Sequence, residues 1–217
     1  MGTSSRRTIP RIKNKINELN NNQFNDIDLK HILKDTLFPR GKESFCAETI
    51  IKSFSSPNFI KSIKNIVSVS NSYSQVGFSC FGINDFDNYS KDKKIDFIAD
   101  YIVDYEDPIF KQSIKDVLLD NGIENLLGND FVFFREIIST YIGAKFQSQI
   151  LDDLSMKYDN VTDLEIYSRI NRIVDEVVNI FITQLNYQTL VVNLNSESYV
   201  EDWVLNNVGS ILKAVVI

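Results

Sequence analysis

The sequence predicts an all-α fold, a multi-helix and bundle-like domain with about eight helices. Apolar residues recur at spacings of three and four along most of the 217 residues, as they do on the buried face of an amphipathic helix. Residues that cap or end helices stand at the borders of these apolar segments. A chain of this length can bury about 70% of the surface that it exposes when unfolded, so its core needs no disulfide or metal.

The first quarter of the chain predicts three helices behind a tail. Residues 1–10 are small, polar and basic, and they predict a flexible basic N-terminal tail. Helical spacing follows over 11–19 and over 25–37, where the first residue is an asparagine that can cap a helix. Residues 38–41, Phe-Pro-Arg-Gly, end this second helix because proline and glycine disfavour its continuation. Residues 43–54 predict the third.

Two prolines mark the beginnings of later helices. Ser56-Pro57 and Asp107-Pro108 each join a side chain that accepts first-turn amide hydrogens to a proline suited to the first helical position. We expect the first of these helices to reach Val67 and the second to end at Gly122. Between them, residues 68–90 lose helical spacing and predict an irregular connection, with a continued helix at its start as the alternative.

The same spacing predicts three further helices, at 92–104, 123–127 and 130–155. Two capping boxes, Thr162-Asp163-Leu164-Glu165 and Ser198-Tyr199-Val200-Glu201, predict the starts of the last two helices. One short apolar run, Thr189–Leu194, predicts a strand or an extended connector. The fold therefore contains at most one short strand.

Charge divides the chain into a basic first part and an acidic remainder. Residues 1–64 hold 12 Lys/Arg against 6 Asp/Glu, whereas residues 65–217 hold 11 against 23. Such asymmetry favours a docking arm, with ordinary solvated surface as the alternative. The acidic part would repel phosphate, which disfavours bulk binding of nucleic acid by it. We expect the tail to be followed by a single helical domain over 11–217, with a soft subdivision into 11–90 and 91–217.

Cysteine use and hydropathy predict a cytoplasmic protein without a membrane segment. Cys46 and Cys80 are 34 positions apart and provide no disulfide framework, which fits a reducing compartment. No apolar run reaches the roughly 18 residues that a membrane-spanning helix requires.

Catalytic chemistry has few candidate residues. His31 is the only histidine, and two cysteines with one histidine cannot form a structural zinc site. The acidic pairs Asp85/Asp87 and Asp152/Asp153 predict solvated surface, and no glycine-rich phosphate loop occurs. We therefore expect a non-enzymatic, partner-binding protein without a cofactor. Two alternatives stay open: a small helical enzyme or effector that uses His31 with a carboxylate, and a nucleic-acid-binding subunit that uses basic residues within 6–64.

The first residues form an unusual start. Methionine before a residue as small as Gly2 is normally removed, which leaves a free glycine amine. Thr3, Ser4 and Ser5 are small, so this amine can enter the pocket of another enzyme. The alternative is that this N-terminal sequence is a common one and has no functional role.

Two parts of the chain resemble the QatB family, a component of the four-gene Qat antiphage defence systems of bacteria. The start Met1-Gly2-Thr3-Ser4-Ser5 is similar to the characteristic start of that family. Residues of about 80–183 resemble its C-terminal helical region, through the segments 81–127, 131–160 and 162–182.

This resemblance implies a mechanism but no catalytic activity of the chain itself. The family's neighbours are an ATPase, a TatD-like nuclease and a QatC-type protein similar to the synthase of 7-cyano-7-deazaguanine. Such synthases activate a deazaguanine carboxylate with ATP and let an amine attack it. The resemblance therefore implies that Gly2 is the modified residue, that Thr3, Ser4 and Ser5 are the recognition tail, and that the helical body docks the partners.

Overall fold

The structure is a computed structural model that describes residues 25–38, 45–83, 85–103, 107–157 and 162–217. These residues form ten α-helices and contain no strand, so the all-α prediction is confirmed. The helices are α1 (Asp26–Leu37), α2 (Phe45–Phe54), α3 (Pro57–Val76), α4 (Lys91–Ile102), α5 (Pro108–Asn121), α6 (Ile123–Leu127), α7 (Asp130–Lys157), α8 (Asp163–Phe181), α9 (Gln184–Val192) and α10 (Glu197–Ala214). The predicted tail 1–10 and the predicted helix 11–19 lie outside the described residues.

The chain forms two compact units. The first unit contains the described residues up to Phe54 together with Ile142–Phe181 and Trp203–Ile217. The second contains Ser55–Tyr141 and Ile182–Asp202. Each unit therefore combines segments that are far apart in the sequence.

The core of the first unit follows the apolar spacing of the sequence. Its buried side chains come from α1, α2, α8, α10 and the later part of α7, and include Leu29, Leu33, Phe54, Phe146, Ile170, Val174, Val208 and Ile211. An ion-pair network joins α1 to α8 at the surface. Arg169 donates to the Asp26 carboxylate at 3.1 Å and to the Glu165 carboxylate at 2.9 Å, and Arg172 also pairs with Asp26.

Aromatic contacts dominate the core of the second unit. The ring of Phe110 in α5 meets the edge or face of Phe59 in α3 at 5.4 Å and of Tyr141 in α7 at 5.0 Å. Such edge-to-face pairs are favoured by the charge distribution of the rings. The Tyr141 hydroxyl donates to Asp107 at 2.7 Å, and the other oxygen of Asp107 accepts from the Phe110 amide at 2.9 Å. One carboxylate therefore caps α5 and satisfies a buried phenol.

The predicted helix caps at four positions are confirmed. In each case the side-chain oxygen accepts the backbone amide hydrogen three residues further on, which satisfies one of the free donors of the first turn. These caps are Asn25 at 2.9 Å, Ser56 at 3.1 Å, Asp107 at 2.9 Å and Thr162 at 3.2 Å.

The run 189–194 was expected to be a strand or connector, and this expectation is wrong. Its first part belongs to α9, which ends at Val192, and a turn follows. The Thr183 hydroxyl caps α9, and Tyr187 and Leu190 are buried three residues apart on one face. Burial of this face outweighs the slightly low helix propensity of the valines.

Two further boundaries differ from the prediction. Helix α3 continues to Val76 because Val69 and Ser70 are also buried, and two short 3-10 helices, Gly77–Phe81 and Phe86–Asn88, follow it. The irregular connection is therefore shorter than expected, and the alternative of a continued helix is correct. The last helix, α10, begins at Glu197, so Ser198 lies within its first turn and is not the cap.

Candidate functional site

The predicted modification site and recognition tail lie outside the described residues. Gly2, Thr3, Ser4 and Ser5 all belong to this part of the chain, as do the basic residues 6–24. Their roles therefore stay predictions.

His31 lies exposed on α1. Asp28 and Asp35 precede and follow it by three and four positions, which places them on the same side of the helix. The Asp28 carboxylate accepts a hydrogen bond from the Asn25 amide at 2.9 Å. An exposed imidazole lacks the partly desolvated surroundings that tune a catalytic base, so the structure adds no support to a His31 enzyme.

The acidic pairs form no metal site in the described part of the chain. Asp85 precedes the second short 3-10 helix, Asp87 lies within it, and both are exposed. The Asp85 carboxylate accepts from the Asn88 amide at 3.5 Å. The side chains of Asp152 and Asp153 are outside the description. Among the described residues, no three His, Cys, Asp or Glu side chains converge as metal ligands would.

The second unit carries a surface that sequence reasoning did not find. We call it the aromatic–lysine surface, and it consists of Tyr73, Phe78, Phe81, Tyr89, Phe97, Tyr101, Lys93 and Lys94 around the buried ring of Phe86. The Phe86 ring lies 5.0–5.4 Å from those of Phe78, Phe81, Tyr89 and Phe97. Phe81 in turn contacts Tyr101, which is 46% exposed. A single buried ring thus holds a set of partly exposed aromatic side chains.

Two lysines of α4 lie over these rings. The Lys93 ammonium is 3.7 Å from the centre of the Tyr89 ring, and the Lys94 ammonium is 4.7 Å from that of Phe78 and 6.0 Å from that of Phe86. Cations are attracted to the negative faces of aromatic rings. The rings therefore hold both ammonium groups in place at the surface.

A cleft of about 380 Å³ opens beside this surface, within the second unit. Phe78, Lys91 and Lys94 line one part of it, and the segment Gly122–Asn125 lines the other. Lys91 donates to the backbone oxygen of Leu119 at 3.0 Å, which orients its side chain. The cleft therefore combines positive charge with an aromatic wall.

Two weakly acidic groups near this surface, the Tyr73 phenol and the Cys80 thiol, have raised pKa values. Burial raises the pKa of the Tyr73 phenol, and the negative charge of Glu124 raises it further. Burial also raises the pKa of the Cys80 thiol, so this thiol is less reactive at neutral pH than an ordinary one. Neither group is therefore activated as a nucleophile by its surroundings.

Comparisons of the chain with models of protein families, with curated proteins and with solved structures return no match. None of the helices in the described part of the chain has the length and apolar character needed to cross a bilayer.

Proposed function

We propose that this protein is a cytoplasmic, non-enzymatic subunit of a bacterial antiphage defence system. In this proposal it is the protein substrate of a partner similar to the synthase of 7-cyano-7-deazaguanine, and it also acts as an adaptor. The partner joins a deazaguanine carboxylate to the amine of Gly2 after Met1 is removed. The ATPase and the TatD-like nuclease of the same system are the further partners.

The observation that carries this proposal is the start Met1-Gly2-Thr3-Ser4-Ser5. An α-amine has a pKa of about 8, so a sizeable fraction of it is uncharged and nucleophilic near neutral pH. Its attack on an activated carboxylate forms an amide and releases the activating group. Small side chains at Thr3, Ser4 and Ser5 place little bulk beside the reacting amine.

The aromatic–lysine surface supports the adaptor role. Aromatic residues are enriched in the centres of protein interfaces, where they supply large contact areas. Tyr101 and Phe81 are in contact and belong to the exposed edge of this surface. We propose that this edge docks the synthase-like partner.

Mass spectrometry tests the modification. The protein is purified from cells that carry its gene neighbours, and its intact mass and N-terminal peptide mass are measured. We expect an addition of the mass of a deazaguanine group on Gly2, and we expect it to disappear when the synthase-like gene is deleted. An unmodified glycine in both strains would contradict the proposal.

Co-purification tests the docking edge. We expect Tyr101→Ala to reduce recovery of the synthase-like partner, because it removes an exposed ring from the proposed contact. Leu185→Ala is the matched control, since Leu185 is 70% exposed in the same unit but lies outside the aromatic–lysine surface. Equal recovery with both variants would exclude this edge as the docking site, while the mass measurement would still decide the modification.

A further inference from the structure

We infer that the cleft beside the aromatic–lysine surface binds a small organic anion, composed of a flat ring joined to one carboxylate or phosphate group. The cleft volume of about 380 Å³ lies within the range of about 300–1,000 Å³ that is usual for small-molecule sites. None of the lining residues takes part in the modification of Gly2. The cleft shares Phe78 and Lys94 with the aromatic–lysine surface, but the proposed docking edge at Phe81 and Tyr101 does not line it, so the two proposals are tested separately.

The anion is expected at the two lysines of the cleft. Lys94 forms no ion pair with any described carboxylate, and its ammonium contacts the ring faces of Phe78 and Phe86. Lys91 uses one hydrogen bond to reach the Leu119 oxygen, and an ammonium has three donors. Both side chains therefore keep donors for a carboxylate or phosphate, and hydrogen bonds between charged groups are the stronger kind.

The flat ring is expected against the apolar part of the lining. Phe78 is partly exposed, and its own position is fixed by contacts with the rings of Tyr73 at 5.2 Å and Phe86 at 5.4 Å. Ile123 also lines the cleft but is only 7% exposed and adds little, so Phe78 supplies most of the apolar contact. A ligand that covers the exposed part of the Phe78 ring removes apolar surface from water, which favours binding.

The charge of the unit favours a small ligand over a polyanion. The ranges 55–141 and 182–202 hold 8 Lys/Arg against 16 Asp/Glu. Three of these eight cations, Lys91, Lys93 and Lys94, occur together at the start of α4. A long nucleic acid would meet the repulsion of the whole unit, whereas a single anionic group meets chiefly the charges of the cleft itself, two lysines and Glu124.

Substitution of Glu124 should change the affinity for the anion in the opposite direction to substitution of Lys94. Glu124 also lines the cleft, and its carboxylate is exposed. It would repel a bound anion while the lysines attract it. Removing its charge should therefore strengthen binding, and removing the charge of Lys94 should weaken it.

Calorimetric titration of the full chain tests the site. The probes are adenosine 5′-monophosphate for the phosphate source and indole-3-acetate for the carboxylate source. Three simpler compounds serve as controls. Adenosine has the ring without the anionic group, and inorganic phosphate and acetate have the anionic group without the ring. We expect at least one ring-containing anion to bind more tightly than its separate parts. Lys94→Gln should weaken this binding about tenfold, and Glu124→Gln should strengthen it about threefold.

The control variant is Lys64→Gln, which removes the same charge from the same unit. Lys64 does not line the cleft, and it donates to Asn195 at 2.9 Å. We expect its affinity to change less than about twofold, because an exposed charge outside the site acts only through solvent. No binding of either probe at millimolar concentration would overturn the inference. Equal weakening by Lys64→Gln and Lys94→Gln, or binding of phosphate or acetate as tight as that of the full probe, would also overturn it.

Discussion

Tyr187 is a buried acid whose ionisation is linked to folding. It is 3% exposed, and its hydroxyl donates to the Asp130 carboxylate at 3.0 Å. Its ring also contacts those of Phe134 at 4.9 Å and Phe131 at 5.7 Å. Burial raises the pKa of Tyr187 well above its ordinary value, and the negative charge of Asp130 raises it further. The folded state therefore keeps this proton at a pH where the unfolded state has lost it.

The stability of the protein should accordingly fall at high pH. An unfolded tyrosine has a pKa of about 10, and Tyr187 contributes its full stabilisation below that pH. As the pH rises toward the folded pKa, the free energy of unfolding should decrease by up to about 1.4 kcal/mol per pH unit from this group. We expect Tyr187→Phe to remove that part of the slope in urea unfolding measured between about pH 8 and pH 11.

Tyr101→Phe is the control for this measurement, because Tyr101 is 46% exposed. The free energy of unfolding of this variant should depend on pH as it does in the unchanged protein. If Tyr187→Phe also leaves the slope unchanged, then the buried hydroxyl is not the source of the dependence on pH.

Two helical glycines of the first unit should respond to alanine with opposite signs. A Cβ on Gly143 would overlap the Asn171 side-chain oxygen and lie 3.3 Å from its Cγ, whereas a Cβ on Gly209 has no such atom within 4 Å. Alanine stabilises a helix by about 1 kcal/mol relative to glycine. We therefore expect Gly209→Ala to raise the free energy of unfolding by up to about 1 kcal/mol.

Gly143→Ala should lower the free energy of unfolding instead, by about 1–2 kcal/mol. The overlap displaces the Asn171 amide, which also accepts from Gln147 at 3.3 Å. Removing that amide with Asn171→Ala should reverse the sign, so that Gly143→Ala becomes stabilising in this second background. Urea unfolding of the four proteins of this cycle measures the effect. A loss of the same size in both backgrounds would exclude Asn171 as the cause.

At the scale of elements, the network of Asp26, Glu165, Arg169 and Arg172 joins α1 to α8. These side chains are partly exposed, and ion pairs at such sites contribute little each. We expect Asp26→Asn to lower the free energy of unfolding by about 1 kcal/mol or less at low salt. The loss should shrink at about 1 M salt, where the screening length is near 3 Å. A loss that does not depend on salt would assign the effect to the hydrogen bonds alone.

Most helices could be predicted because local sequence and burial agree at their positions. Asn25, Ser56, Asp107 and Thr162 each cap the helix that the apolar spacing predicts. Helix α9 could not be predicted, because its valines favour a strand locally. Its helical form depends on the burial of Tyr187 and on the bond to Asp130, which is 57 residues away in the chain.

The aromatic–lysine surface was missed for a related reason. Tyr73, Phe78 and Tyr89 lie within the stretch 68–90 that loses helical spacing, so their pattern predicts nothing regular. Only the fold brings them to the lysines of α4 and to the segment Gly122–Asn125. The high density of aromatic residues between 73 and 101 is the signal that this surface leaves in the sequence.

At the scale of the whole molecule, the proposal separates a reactive end from a binding body. The chemistry is assigned to the amine of Gly2, whereas partner contact is assigned to the edge of the aromatic–lysine surface at Phe81 and Tyr101. Changes at residue 2 should therefore abolish modification without altering the fold or the capture of the partner. A protein substrate loses its reaction when the modified residue is changed. An enzyme instead loses activity when catalytic residues in its folded body are changed.

Gly2→Glu tests this separation. A glutamate at position 2 is too large for the usual removal of Met1, so the glycine amine no longer exists. We expect a retained methionine, no deazaguanine-sized addition and loss of protection against phage, with unchanged thermal unfolding and unchanged recovery of the synthase-like partner. Gly2→Ala is the matched control, because alanine still permits removal of Met1 and leaves a free amine. An addition of the same mass on the Gly2→Glu protein would place the modification at another residue and contradict the assignment to Gly2.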